Sequence, residues 1–178
     1  MPCRLVHAAI VGRGAGPYAA GMSTYQWLLV FHVSGAFLLL GGGTIAAALN
    51  LAALGRERPS EILLLFGLIR IAVGAIVLGA LLALVFGLWL VHEAGYGYGD
   101  GWIVAALVLF ILGNALGGIG GRRDERTARL AADLAARGDS PSPDLRARVR
   151  DPISLALSYG SGLLLVAVLG LMIWKPGA

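Results

Sequence analysis

Four stretches of the chain, residues 26–54, 71–90, 102–121 and 153–174, contain no Asp, Glu, Lys or Arg. A hydrocarbon layer of about 30 Å takes about 20 helical residues to cross, and each stretch reaches that length. Inside a bilayer every backbone N–H needs a partner within the protein, which leaves helices and closed barrels. The runs lack the two-residue alternation of an outer-membrane barrel strand, so they read as helices. A core helix of a soluble protein would be shorter and would carry a polar stripe. The predicted fold class is all-α: a polytopic membrane protein, a four-transmembrane-helix bundle with spans over about 26–54, 61–92, 102–121 and 152–174.

Composition agrees, with 58% hydrophobic and 13% charged residues and a mean hydropathy of +0.81. That excludes disorder and an ordinary soluble enzyme. Cys3 is the only cysteine, so neither an intrachain disulfide nor a Cys-based zinc site is available.

Helix-end chemistry fits the spans. Pro59 and Ser60 suit the start of the second helix, Gly55 a stop for the first, and Asp151 followed by Pro152 a start for the fourth. Trp27, Trp89, Trp102 and Trp174 all fall near span ends on one membrane face. Arginines collect at the opposite face: Arg56 and Arg58 in the first connection, and eight more between residues 122 and 150. Only Arg4, Arg13 and Lys175 stand against them. The positive-inside bias therefore predicts both termini and the loop 93–101 outside, with a cytoplasmic Arg-rich hairpin over 122–150, in a bacterial inner membrane. The basic pI is on this account a topology signal and not a nucleic-acid footprint.

In that hairpin, residues 122–137 continue the third span as a charged helix, GDSPSP breaks it, and DLRARVR forms a short basic helix. It reads either as a solvated hairpin lying on anionic headgroups or as a docking site for an acidic partner subunit. Residues 1–24 read as a flexible tail without the apolar core of a secretory signal, and Met22 is the expected natural start.

Between helices in lipid, association depends on close backbone approach. Ala75, Gly79, Ala83 and Gly87 recur every four residues, and Gly113, Gly117 and Gly121 do likewise. Gly35 and Gly43 flank a similar face beside Gly41 and Gly42. Such Gly/Ala seams suit packing within the bundle, a homo-oligomer, or a larger membrane complex.

Ionisable residues inside a span are costly. His32 lies within the first, on one face with Gly35, Leu39, Gly43 and Ala46. Its imidazole is a candidate haem or copper ligand, or a hydrogen-bonder to a carbonyl or to Ser158 or Ser161 of the last span. His92 closes the second span near the same face, which makes His32 and His92 the candidate metal pair. Arg70 is expected inside the bundle, paired with Asn50 or Asn114, as a clamp for a haem propionate or a lipid phosphate. No phosphate loop, HExxH motif or nucleophile elbow occurs, and no span carries an acidic residue for proton exchange.

The segments WLLVFHVSGAFLLLGGG, LIRIAVGAIVLGALLALVFGLWL and GYGYGDGWIVAALVLF resemble the bacterial integral membrane proteins of the domain-of-unknown-function 2269 family, over residues 25–174. The first-span histidine and glycine pair are also similar to the copper-resistance D-like proteins and the HemJ-type protoporphyrinogen oxidases. The latter resemblance implies His32 as a haem b ligand, although the lysine that accompanies it there has no counterpart. These readings lean away from an enzyme and towards a non-enzymatic accessory or assembly protein of the lipid bilayer. The alternatives are a small haem b or copper redox protein using His32, and a dimeric small-molecule carrier.

Overall fold

The computed structural model describes residues 22–177; residues 1–21 of the expected tail lie outside that range, and its last two residues, Ser23 and Thr24, instead cap and begin α1. Five helices follow in order, with no strand among the described residues: α1 (Thr24–Leu54), α2 (Pro59–Glu93), α3 (Gly101–Ala136), α4 (Pro143–Val149) and α5 (Pro152–Trp174). All but the seven-residue α4 contain a segment long and apolar enough to cross a membrane.

The ends form where local chemistry requires. Ser23 and Gln26 make a reciprocal capping box at α1, the Ser23 N–H donating to Oε1 of Gln26 at 2.9 Å. Asp151 accepts from the Ile153 and Ser154 amides at the start of α5, where Pro152 has no N–H to lose. Gly55 closes α1. At α2 the expected Ser60 cap is replaced: Ser60 sits inside the first turn, and its N–H (2.8 Å) and hydroxyl (2.7 Å) donate to Asp139 from the loop after α3. Gly138, at φ +118°, makes the left-handed turn that brings Asp139 there.

α1 packs mainly on α2 and α3 mainly on α5, the two pairs meeting chiefly through α2 and α3. Both seams are made of small residues. A Cβ on Gly35 would lie 2.6 Å from the Ala83 nitrogen, one on Gly79 2.5 Å from the Leu39 nitrogen, and one on Gly42 3.0 Å from the Ala72 oxygen. Leu28, His32, Gly35, Leu39 and Gly42 advance by alternate steps of four and three, the repeat that keeps one face on a slightly supercoiled partner. In the other pair Gly117 and Gly120 receive the hydroxyls of Ser161 and Ser158, and Gly113 abuts Leu164 and Leu165. The expected Gly35, Gly79, Gly87, Gly113 and Gly117 all lie at these contacts, whereas Gly42 and Gly120 take the places expected of Gly43 and Gly121, which face open space.

The tryptophans set the scale of the membrane layer. Nineteen residues back from Trp89 is Arg70, and twenty forward from Trp102 is Arg122, in each case about 30 Å of helix or one hydrocarbon thickness. The same count from Trp27 and Trp174 reaches Ala47 and Ser154. Beyond this level the chain builds a second body. Ala53 of α1, Ile62, Phe66 and Ile69 of α2, Ala131 of α3, and Leu145 and Val149 of α4 form one buried cluster. Arg146 binds Glu57 at 2.5 Å, and Nη2 of Arg150 donates to the Leu54 carbonyl at 3.2 Å, closing the end of α1. The Arg-rich hairpin is thus a folded cap on the ends of α1 and α2.

Candidate functional site around His32

His32 points from α1 into the seam with α2, half-buried, its Nδ1 2.9 Å from the Ala83 carbonyl oxygen. A carbonyl only accepts, so Nδ1 carries the proton and donates, and the lone pair of the neutral ring resides on Nε2. Gly87, one turn after Ala83, makes room: a Cβ there would lie 2.9 Å from both Nδ1 and Cε1 of the ring. Beside it Trp27, Phe31 and Phe86 stack, with Phe31 and Phe86 ring centroids 4.8 Å apart. The bonding partner is therefore a backbone carbonyl of α2; Ser158 and Ser161 are used against α3.

His92 is exposed at the end of α2. It stands nine residues beyond Ala83, about 13 Å along the helix, so the two histidines are not brought together. No group of three or more His, Cys, Asp and Glu side chains with metal-binding proximity occurs among the described residues. For haem b, His32 offers the correct tautomer, a donated N–H with a free Nε2, as metal-bound histidines have. Two surface depressions flank α4, lined by residues such as Pro141, Arg146 and Arg150 or Leu130, Asp144 and Arg148. By tautomer and by its place in the seam, His32 fits an axial ligand.

Arg70 differs from expectation. It is exposed and has no hydrogen bond or ion pair among the described residues. Its level gives a reason: one hydrocarbon thickness from Trp89, an exposed guanidinium would reach a headgroup layer and would need no partner inside the bundle. Its charge falls on Glu125 of α3, whose carboxyl is held below the usual range first by the Arg129 hydrogen bond at 2.8 Å and, less strongly, by Arg70. Asn50 faces Asp124 instead, and Asn114 donates to its own helix at the Phe110 carbonyl, 2.8 Å. Asp124, just past the end of the third span, is pushed up to about 6 by burial, an effect only partly offset by the Asn50 amide.

At the tryptophan end, Lys175 donates to the Tyr96 hydroxyl at 3.3 Å and lies over the Tyr96 and Trp102 rings, 5.1 and 5.8 Å from their centroids. Trp102 is buried there against Tyr96, edge to face. Sequence reasoning placed Trp102 as an interfacial anchor; the lysine just past the last span was the signal for its packed role.

Residues 26–176 match the model of a family described as a predicted integral membrane protein, DUF2269. No curated protein and no solved structure matches. With 151 of 178 residues inside that match, the chain belongs to the DUF2269 family of predicted integral membrane proteins.

Proposed function

We propose that the protein is a non-enzymatic accessory or assembly protein of the bacterial inner membrane, working through its lipid-embedded faces and its folded arginine-rich cap. The observation that carries this reading is the His32 bond to the Ala83 carbonyl, with the ring seated on Gly87. The ionisable side chain placed deepest in the membrane is thereby used to fasten α1 to α2. Because the Gly/Ala seams are filled within the chain, homo-oligomer or complex contacts fall to the remaining exposed faces. The arginine bias supports a cytoplasmic cap with both termini outside. Alkaline phosphatase fused after residue 97 should then be active, and fused after residue 135 inactive.

A second reading, a haem b or copper protein, is favoured by the free Nε2 of His32. An absorption spectrum and metal analysis of protein purified from haem- and copper-replete cells separate the two. Colourless, metal-free protein supports the accessory role. A Soret band or bound copper lost in folded His32→Ala replaces that role with the second reading.

A further inference from the structure

The arginines the cap does not use raise a separate question. Arg123, Arg129, Arg146 and Arg150 are engaged by Asp151, Glu125, Glu57 and the Leu54 carbonyl. Arg58, Arg70, Arg122, Arg126, Arg137 and Arg148 are exposed and have no such partner among the described residues; of these, Arg70 and Arg122 lie nearest the apolar spans. They stand at one level, each about 30 Å along its helix from a tryptophan of the opposite face. α2 packs directly on α3, so exposed arginines at the same level of these two helices head neighbouring helix surfaces.

The two helices repeat one pattern on the membrane side of the arginine. From Arg70, positions four, seven and eleven residues on are Gly74, Val77 and Leu81; from Arg122, the same steps back give Gly118, Ala115 and Ile111. All six are exposed. Gly74 and Gly118 have open space where a Cβ would be, so helix packing does not require glycine at either. Each arginine thus heads a vertical row with nothing bulky directly beneath the charge and aliphatic side chains further down.

We infer that Arg70 and Arg122 together bind the phosphodiester of an anionic phospholipid, whose glycerol lies over Gly74 and Gly118 and whose acyl chains run down the two rows. Guanidinium groups match phosphate oxygens in geometry and charge. The depth selects a lipid over an acidic peptide, because the apolar rows continue into the hydrocarbon. This inference is independent of the role of His32.

The test is native mass spectrometry and thermal unfolding of the full chain in detergent, titrated with phosphatidylglycerol, phosphatidylcholine or inorganic phosphate. Phosphatidylglycerol should bind and raise Tm, and the other two should do neither at equal concentration. Arg70→Gln with Arg122→Gln should weaken phosphatidylglycerol about thirtyfold, from two surface arginines. Arg137→Gln, at the far end of the cap, should bind as wild type. If the double variant does not fold, Gly118→Leu, which fills one row and keeps both charges, should still lower binding. Equal binding of phosphatidylcholine, equal stabilisation by phosphate alone, or wild-type affinity in the folded variants would overturn the site.

Discussion

Within one chain, the membrane layer and the cap are held by different kinds of close contact. In the spans the tight contacts are Gly35, Gly42, Gly79, Ala83, Gly113 and Gly117, while Phe37 (77% exposed), Leu163 (72%) and Ile173 (74%) face outward. In the cap the buried residues include Ile62, Phe66, Ile69, Leu145 and Val149, with ion pairs around the rim. Solvent accounts for the difference in what draws the helices together. Against lipid a large apolar side chain gains little by burial, so helices associate where backbones approach. Against water the same side chain gains about 25 cal/mol per Å² by burial, so it turns inward.

The strongest way to break this contrast is to make the span pack like the cap. Gly79→Leu would set a Cβ 2.5 Å from the Leu39 nitrogen and 2.7 Å from the Gly35 oxygen, backbone atoms that cannot yield without separating α1 from α2. The expected outcome is no monodisperse folded protein by size exclusion in mild detergent. Gly74→Leu, on the open face, should stay within about 1 kcal/mol of wild type, since it meets nothing and gains helix propensity. Equal behaviour of the two would remove the glycine seam as the basis of association.

The cap should answer to the opposite change. Phe66→Ala empties a well-packed position and is expected to cost about 3 to 4 kcal/mol. The loss should be read as protease cleavage near Gly138 and Asp139 while the spans remain helical. Intact resistance to protease would mean that the cap cluster is not held by burial.

The spans and most helix ends were legible in the sequence, because length and uninterrupted apolarity are properties of a single segment. The seams were legible to within one residue: Gly79, Ala83, Gly113 and Gly117 follow from spacing, but choosing Gly42 over Gly43, or Gly120 over Gly121, needs the partner's phase. The cap was not legible as a cap. The stretch EILLLFGLI reads the same whether lipid or protein covers it; its cover, Ala131, Leu145 and Val149, lies some sixty residues or more away in sequence. The same limit applied to Arg70, which is costly if the span begins at Glu61 and ordinary if the hydrocarbon begins beside it. For His32 the residue type was informative, yet its acceptor was a backbone carbonyl, which leaves no mark in a sequence. The signal that existed was Gly87, one turn from Ala83, a glycine that leaves room for the ring.

Among the described residues His32 is the polar fastener of a seam otherwise made by contact, so its removal measures how far the span departs from pure packing. An interhelical hydrogen bond in lipid contributes about 1 kcal/mol, and His32→Ala should cost about 1 to 2 kcal/mol with the ring's contacts included. Gly87→Ala alone should also destabilise, because its Cβ meets the ring at 2.9 Å. In the His32→Ala background the same methyl fills the vacated space and should become neutral or favourable. A double-mutant cycle by thermal unfolding reads that change of sign, and strict additivity would dissolve the pairing.

The smallest expected effect sits at the junction of the two regions. Asp124 lies just past the third span and faces Asn50 of α1, its folded-state pKa raised from 3.8 to about 6, chiefly by burial. A carboxyl raised in this way favours the folded state most when protonated. Its favourable contribution is full below about 3.8, declines as pH rises towards about 6, and is gone above. Asp139, held low by the Ser60 hydroxyl and N–H, works in the other direction: its contribution is present above the ordinary carboxylate range and is lost as pH falls. The total pH profile therefore mixes both, and the informative quantity is the difference between wild type and Asp124→Asn. At pH 3.5 the two should unfold at the same temperature, and at pH 7 the variant should be the more stable by about 1 kcal/mol or less, because a half-exposed carboxylate is screened by water. A variant equal to wild type at pH 7 would place Asp124 fully in water and shift the end of the buried junction back towards Gly121.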